Sequence, residues 1–313
     1  MLIGKEEAAM RLFVTGVNGQ LGYDVMNEIH KRGYDGIGSG RTASYNGIQD
    51  GTPVIEMPYI PLDITDEQAV MPVLKKVKPD VVIHCAAWTA VDAAEEVENK
   101  EAVEAVNVKG TQYLANACKK IGCKLVYIST DYVFNGQGDT PWQADETDFA
   151  PLNEYGRSKL AGELAVVNTL DTYFIVRISW VFGKNGNNFI KTMLNVGKKY
   201  DTLRVVNDQI GRPTYTHDLA RLLLDMVETE QYGCYHATNE GTNISWYDFA
   251  CEIFRQAGYP TKVIPVTTEE YGLSKAVRPH NSRLDTSKLQ ASGFLSLPPW
   301  QDALQRFLKK IKA

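Results

Sequence analysis

The strongest constraint on this chain is a single turn. The apolar run Arg11–Thr15 leads directly into Gly16-Val17-Asn18-Gly19-Gln20-Leu21-Gly22, and an amphipathic stretch continues to Arg32. Glycine at these three places serves a tight strand-to-helix reversal, close approach of backbone to a pyrophosphate, and close packing of helix on strand. The phosphates sit over the helix N-terminus, where backbone N–H groups lack intrahelical partners. Gly16, Gly19 and Gly22, with Gln20 and Leu21 opening the helix, therefore read as a dinucleotide cradle in an α/β chain.

The residues that follow repeat the theme. Asp35–Ser39, Asp80–Cys85, Lys124–Ser129 and Tyr173–Ser179 read as strands buried on both faces of a parallel sheet. Between them Asp66–Lys76, Ala102–Ile121 and Glu154–Leu170 have helical spacing, with acidic residues at the start of the first and Pro79 after its end. This alternation predicts a Rossmann-type doubly wound parallel sheet over residues 10–180. Beyond it the helices thin out to Phe189–Lys199, His217–Glu228, Trp246–Gln256 and Trp300–Lys310. They predict a smaller C-terminal α+β lobe over residues 181–313, mainly substrate-binding and free to return strands to the sheet. The loop Asn135–Leu152 is long enough to be functional.

Composition excludes more than it identifies. The 33 basic and 38 acidic residues give a net charge of −5, which is no footprint for nucleic acid. Five cysteines without a C-x-x-C pair indicate neither a disulfide framework nor a zinc ribbon, and five histidines without H-x-x-x-H spacing indicate no catalytic metal. No apolar stretch is long enough for a signal peptide or a membrane span. The expected setting is cytoplasmic, with residues 1–9 a short flexible extension.

The chemistry centres on Tyr155 and Lys159, one helical turn apart on the same face. A phenol with a pKa of about 10 is a poor acid or base at neutral pH, and a neighbouring cation would bring it down. Thr130, in Ser129-Thr130-Asp131, ends a parallel strand, where α/β sheets place their ligand crevice, and its hydroxyl suits a developing oxyanion. After the second strand, Ser39-Gly40-Arg41 offers an arginine and no acid. That points to the 2′-phosphate of NADPH and leaves NADH open.

Together with Asp63-Ile64, Ala86-Ala87 and Asn107, these motifs resemble the extended short-chain dehydrogenase/reductase superfamily. The strings V-T-G-V-N-G-Q-L-G, A-A-W-T-A-V-D-A-A-E, I-S-T-D-Y-V-F-N-G, N-E-Y-G-R-S-K-L-A-G-E, D-Q-I-G-R-P-T and R-P-H-N-S-R-L-D narrow the resemblance to the dTDP-4-dehydrorhamnose reductase family. The resemblance implies hydride transfer from NAD(P)H to C4 of a keto-sugar, with Tyr155 protonating the alkoxide, Lys159 holding the nicotinamide ribose and Thr130 assisting. It implies cofactor contacts at Asp63, Ile64, Ala86, Ala87, Trp88, Thr89 and Asn107, and substrate contacts at Val91, Asp131, Tyr132 and Trp180. Magnesium and a homodimer enter only through it. Related 4,6-dehydratases need paired carboxylates after the threonine, but here Asp131 is followed by Tyr132, as suits a reductase.

Arg177, Arg212, Arg278 and Arg283 are candidates for the substrate diphosphate, because guanidinium forks match phosphate oxygens. Arg212 and Arg278, each before a proline, are the preferred pair. Two other readings stay open. One is a reductase or reducing epimerase acting on a different nucleotide sugar, such as a GDP-sugar. The other is a non-catalytic, cofactor-binding regulatory subunit like that of methionine adenosyltransferase, which the family also resembles.

Overall fold

The structure, a computed structural model, describes residues 9–312, so nearly all of the extension read at residues 1–9 lies outside it. In β1 (Arg11–Thr15), Leu12 and Val14 face one helical layer and Phe13 the other, all fully buried. There follow α1 (Gln20–Lys31), β2 (Asp35–Gly40), β3 (Tyr59–Pro61), α2 (Glu67–Val77), β4 (Val81–His84), α3 (Val91–Ala94), α4 (Lys100–Glu104), α5 (Gly110–Ile121), β5 (Lys124–Thr130), α6 (Glu154–Val167) and β6 (Tyr173–Ile178). The C-terminal part supplies β7 (Val181–Phe182), α7 (Phe189–Gly197), β8 (Thr202–Val206), β9 (Ile210–Gly211), β10 (Thr214–Tyr215), α8 (Thr216–Val227) and β11 (Gly233–His236). Helices α9 (Trp246–Ala257), α10 (Thr268–Tyr271), α11 (Ser287–Ala291) and α12 (Trp300–Lys312) complete it.

The expected Rossmann-type sheet is present: seven parallel strands in the order β11-β6-β5-β4-β1-β2-β3. The chain runs outward from β1 to β3 and then restarts at β4 on the other side of β1. That reversal opens a crevice beyond the carboxyl ends of β1 and β4, the place where such sheets bind ligands. Helices α1 and α8 pack on one face, and α2, α5 and α6 on the other. A third cluster, with Phe182, Phe249, Trp300 and Phe307, joins α9 and α12.

Local pattern and structure differ at β3 and within the helix over 102–121, and two expected features gain a physical cause, the end of α2 and the return of the C-terminal part to the sheet. Strand β3 has only three residues and ends in Pro61, as suits a short edge strand, so it carries no apolar run to read. The helix expected over 102–121 is interrupted by a π-helical turn, Ala105–Lys109, which carries Asn107. Helix α2 stops at Val77 because Lys78 takes the left-handed conformation (φ 50°) ahead of Pro79. Beyond residue 180, α8 and β11 join the sheet layers, because α8 buries Leu219, Leu223 and Val227 in the α1 cluster while Arg32 of α1 pairs with Asp225 and Glu228.

Candidate active site

Strand β1 runs into Gly16 at φ +72°, where a Cβ would lie 2.6 Å from the Ala86 nitrogen. At Gly22 a Cβ would lie 2.4 Å from the Gly16 oxygen. Gly19 caps α1 with no side-chain acceptor, so the first N–H groups of the helix remain available to an anion. A cradle that excludes side chains over an uncapped helix start fits a dinucleotide pyrophosphate. Beneath it the Thr15 hydroxyl lies 2.8 Å from His84 Nδ1 and accepts from the Ala86 N–H at 3.2 Å. Burial holds His84 down at about 3, so the ring is neutral and ties the loops after β1 and β4 together without adding charge.

Around the cradle, the Gln20 side-chain oxygen accepts from Asn188 at 2.9 Å, and Leu21 is core. Arg41 is exposed just past β2, on a loop that Asn18 braces through Thr42 and the Asn46 N–H. Asp63 accepts from the Thr65 N–H and hydroxyl. Ile64 is buried against Gly110. The side chains of Leu21 and Ile64 therefore face the core, which leaves only their backbone to a cofactor. Ala86, Ala87, Trp88 and Thr89 form the partly open loop after β4. Asn107, grouped above with the cofactor contacts, is 1% exposed; it accepts from the Trp88 N–H and donates to the Trp88 carbonyl and Ser158. Its amide is committed to the protein, so it positions the loop.

Helix α6 starts at Asn153, whose Oδ1 accepts from the Gly156 N–H at 2.8 Å. The helix brings Tyr155 and Lys159 to the end of β5, beside Thr130. Burial raises the Tyr155 pKa, opposed by a hydrogen bond with the Thr130 hydroxyl. The depression expected from Lys159 is absent. Lys159 Nζ instead donates to the Ile128 carbonyl at 2.7 Å and lies 4.0 Å from the centre of the Tyr127 ring. Burial brings Lys159 down to about 7, with Glu163 opposing. The phenol is thus held protonated, the state a proton donor needs.

Asp131 is buried, which lifts it to about 6 against the Ser282 and Thr130 hydroxyls; its Oδ1 accepts from Thr130 at 3.0 Å. Its Oδ2 has no protein partner. The Tyr132 ring stands edge-on to Tyr155, with centroids 5.6 Å apart. Val91 opens α3 at the rim. Trp180 adopts φ +49°, an outlier for a bulky residue of the kind that clusters at functional sites. It stacks on Trp246 at 3.7 Å, and a Cβ on Gly211 would lie 2.9 Å from its ring.

The four arginines separate. Arg177 is bidentate to Glu163 (2.9 and 2.7 Å), both side chains 4% exposed, so it is an internal brace and no phosphate clamp. Arg283 bonds Asn281. Arg212 is also a correction: Gly211 lies on Trp180, so the next residue of the extended chain points the other way. Its guanidinium donates to the Leu284 carbonyl and opens on a separate cavity of about 300 Å³ with Glu240, Asn243 and Asp285, away from Thr130 and Tyr155. Arg278 alone reaches the site, donating to the Tyr132 hydroxyl at 3.3 Å and to Asp92 at 2.6 Å. Among the described residues no three His, Cys, Asp or Glu side chains gather to hold a metal. No described helix is long and apolar enough to cross a membrane. Asp92, Asn153, Glu163 and Trp246 escaped the sequence reading. Asn153, three residues ahead of Gly156, and Glu163, one turn beyond Lys159, carry a local signal for it; the other two carry none.

A tyrosine and a lysine one helical turn apart on α6, beside a strand-end threonine and a dinucleotide cradle, place this chain among the short-chain dehydrogenase/reductases. Its similarity to known proteins is narrower. The model of the RmlD substrate binding domain matches residues 10–313, and the chain belongs to that family. It is 39% identical over 309 residues to a dTDP-4-dehydrorhamnose reductase of Aggregatibacter actinomycetemcomitans, covering 94% of this chain and 97% of the relative. The crystal structure of a dTDP-4-dehydrorhamnose reductase from Clostridium acetobutylicum superimposes with a TM-score of 0.87 at 38% identity, over 97% of this chain and 100% of that one. The Bacillus anthracis dTDP-4-dehydrorhamnose reductase in complex with NADP gives 0.85 at 39% identity, over 96% and 99%.

Proposed function

We propose that this chain reduces dTDP-4-dehydro-L-rhamnose (dTDP-6-deoxy-L-lyxo-4-hexulose) to dTDP-L-rhamnose with NADPH. The observation that carries the reading is the convergence of Tyr155 of α6 on Thr130 and Tyr132 at the carboxyl end of β5, next to the glycine turn. Family membership selects the substrate. The bound nicotinamide supplies the hydride. The Gly16–Gly22 turn and the start of α1 would hold its pyrophosphate, Arg41 the ribose phosphate, and Lys159 the nicotinamide ribose. Thr130 and Tyr155 orient the C4 carbonyl, and the Tyr155 hydroxyl gives its proton to the oxygen as negative charge develops there. Asp131, Tyr132, Val91 and Trp180 would surround the sugar. The free cysteines suit a reducing, cytoplasmic setting.

Purified protein mixed with NADPH and dTDP-4-dehydro-L-rhamnose should consume NADPH and form dTDP-L-rhamnose. A preference for a GDP-linked keto-sugar, or no turnover on any keto-sugar, would refute the assignment.

A further inference from the structure

Past α10 the chain crosses onto α3, and one carboxylate receives it. Asp92 Oδ1 accepts from the Lys275 and Ala276 N–H groups, each at 3.1 Å, and Oδ2 accepts from Arg278 Nη2 at 2.6 Å. These partners lie 183 to 186 residues away in sequence. Nearby, the Lys275 ammonium pairs with Glu96. Asn153, the residue that caps α6, donates to the Val277 carbonyl at 2.8 Å. Arg278 also reaches the Tyr132 hydroxyl, and the Tyr132 ring stands against Tyr155. One short segment thus touches α3, the start of α6 and the wall of the catalytic pocket.

We propose that Asp92 is a positioning residue for the nucleotide sugar: it straps Lys275–Arg278 across the cleft and sets the Arg278 guanidinium and the Tyr132 ring on the substrate side of Tyr155. The bonds of Asp92 run to the distant segment and not back to its own short helix, so helix capping does not explain them. The ion pair is partly exposed, with side chains 26% and 43% accessible, so solvent screens it and it adds little to stability. The substrate role rests on the reductase reading above, whereas the strap does not.

The test combines kinetics with amide exchange in the full chain. Asp92→Ala should raise the KM for the nucleotide sugar about tenfold while kcat and the KM for NADPH stay within about twofold of wild type. Asp92→Asn keeps an acceptor for both amides and should recover part of the loss. Exchange at the Lys275 and Ala276 amides should quicken in Asp92→Ala. Quickened exchange with an unchanged KM would overturn the substrate role, and unchanged exchange would overturn the strap. A common fall in kcat, both affinities and Tm would mark Asp92 as general scaffold and overturn the proposal. If the wild-type protein reduces no keto-sugar, the substrate role falls with the reductase reading, and exchange alone decides the strap.

Discussion

Tyr155→Phe deletes one oxygen and leaves the packing of the site in place. The phenyl ring can keep its edge-on contact with Tyr132, whose centroid is 5.6 Å away, and the lost hydroxyl removes at most one polar contact, with the Thr130 hydroxyl. A single neutral hydrogen bond is worth about 0.5–1.5 kcal/mol, so the variant should fold with Tm lowered by a few degrees at most. Turnover should respond on a different scale. Loss of a positioned proton donor lowers kcat by about 10²–10⁴, or roughly 2.7–5.4 kcal/mol of barrier. The gap between the two magnitudes makes the test decisive. Initial rates followed by NADPH absorbance should fall by at least two orders of magnitude, with the dissociation constant for NADPH unchanged. A kcat within threefold of wild type would show that the proton comes from elsewhere, Asp131 being the nearest alternative acid, lifted by burial to about 6.

Two further outcomes follow from the buried charges. Lys159 sits near 7 in the free protein, so it is largely neutral at pH 8 and largely protonated at pH 6. Ribose hydroxyls accepting from its ammonium would raise that value, so NADPH binding should take up a proton at pH 8 through Lys159 and not at pH 6. Calorimetry in buffers of different ionisation enthalpy measures this, and uptake that persists in Lys159→Met would refute the assignment. Arg177→Met should destabilise the fold by about 3–5 kcal/mol in denaturant titrations, because Glu163 is left buried without its bidentate partner. Adding Glu163→Gln should recover part of that loss; if the single change costs under about 1 kcal/mol, the brace is not structural.

Much of the molecule is legible along the chain because its signals are local. The glycine cradle needs only neighbouring residues: a strand end, a φ that excludes side chains and an uncapped helix start. The Tyr155–Lys159 pair follows from helical spacing, and Thr130 from its place at a strand end. Elements with weak local signals were missed or misjudged. The three-residue β3 is too short for periodicity, and the π-turn at Asn107 changes the register of an otherwise continuous helical pattern. The direction of the Tyr155 shift differs from the expected one because spacing gives adjacency but not burial: the ammonium of Lys159 turns to the Ile128 carbonyl, and desolvation of the phenol prevails.

By itself the sequence determined the layered α/β sheet, the glycine turn and the candidate trio of Thr130, Tyr155 and Lys159, since each depends on backbone conformation and residue spacing over a few turns. Tertiary structure decided what the long charged side chains do. Four arginines have the same chemistry, yet Arg177 is locked on Glu163, Arg283 bonds Asn281, Arg212 faces a separate cavity, and Arg278 is held by Asp92 at the site. A guanidinium on a flexible stem reaches partners in several directions, so its function is set by the burial and carboxylates brought near it by segments far away in the chain.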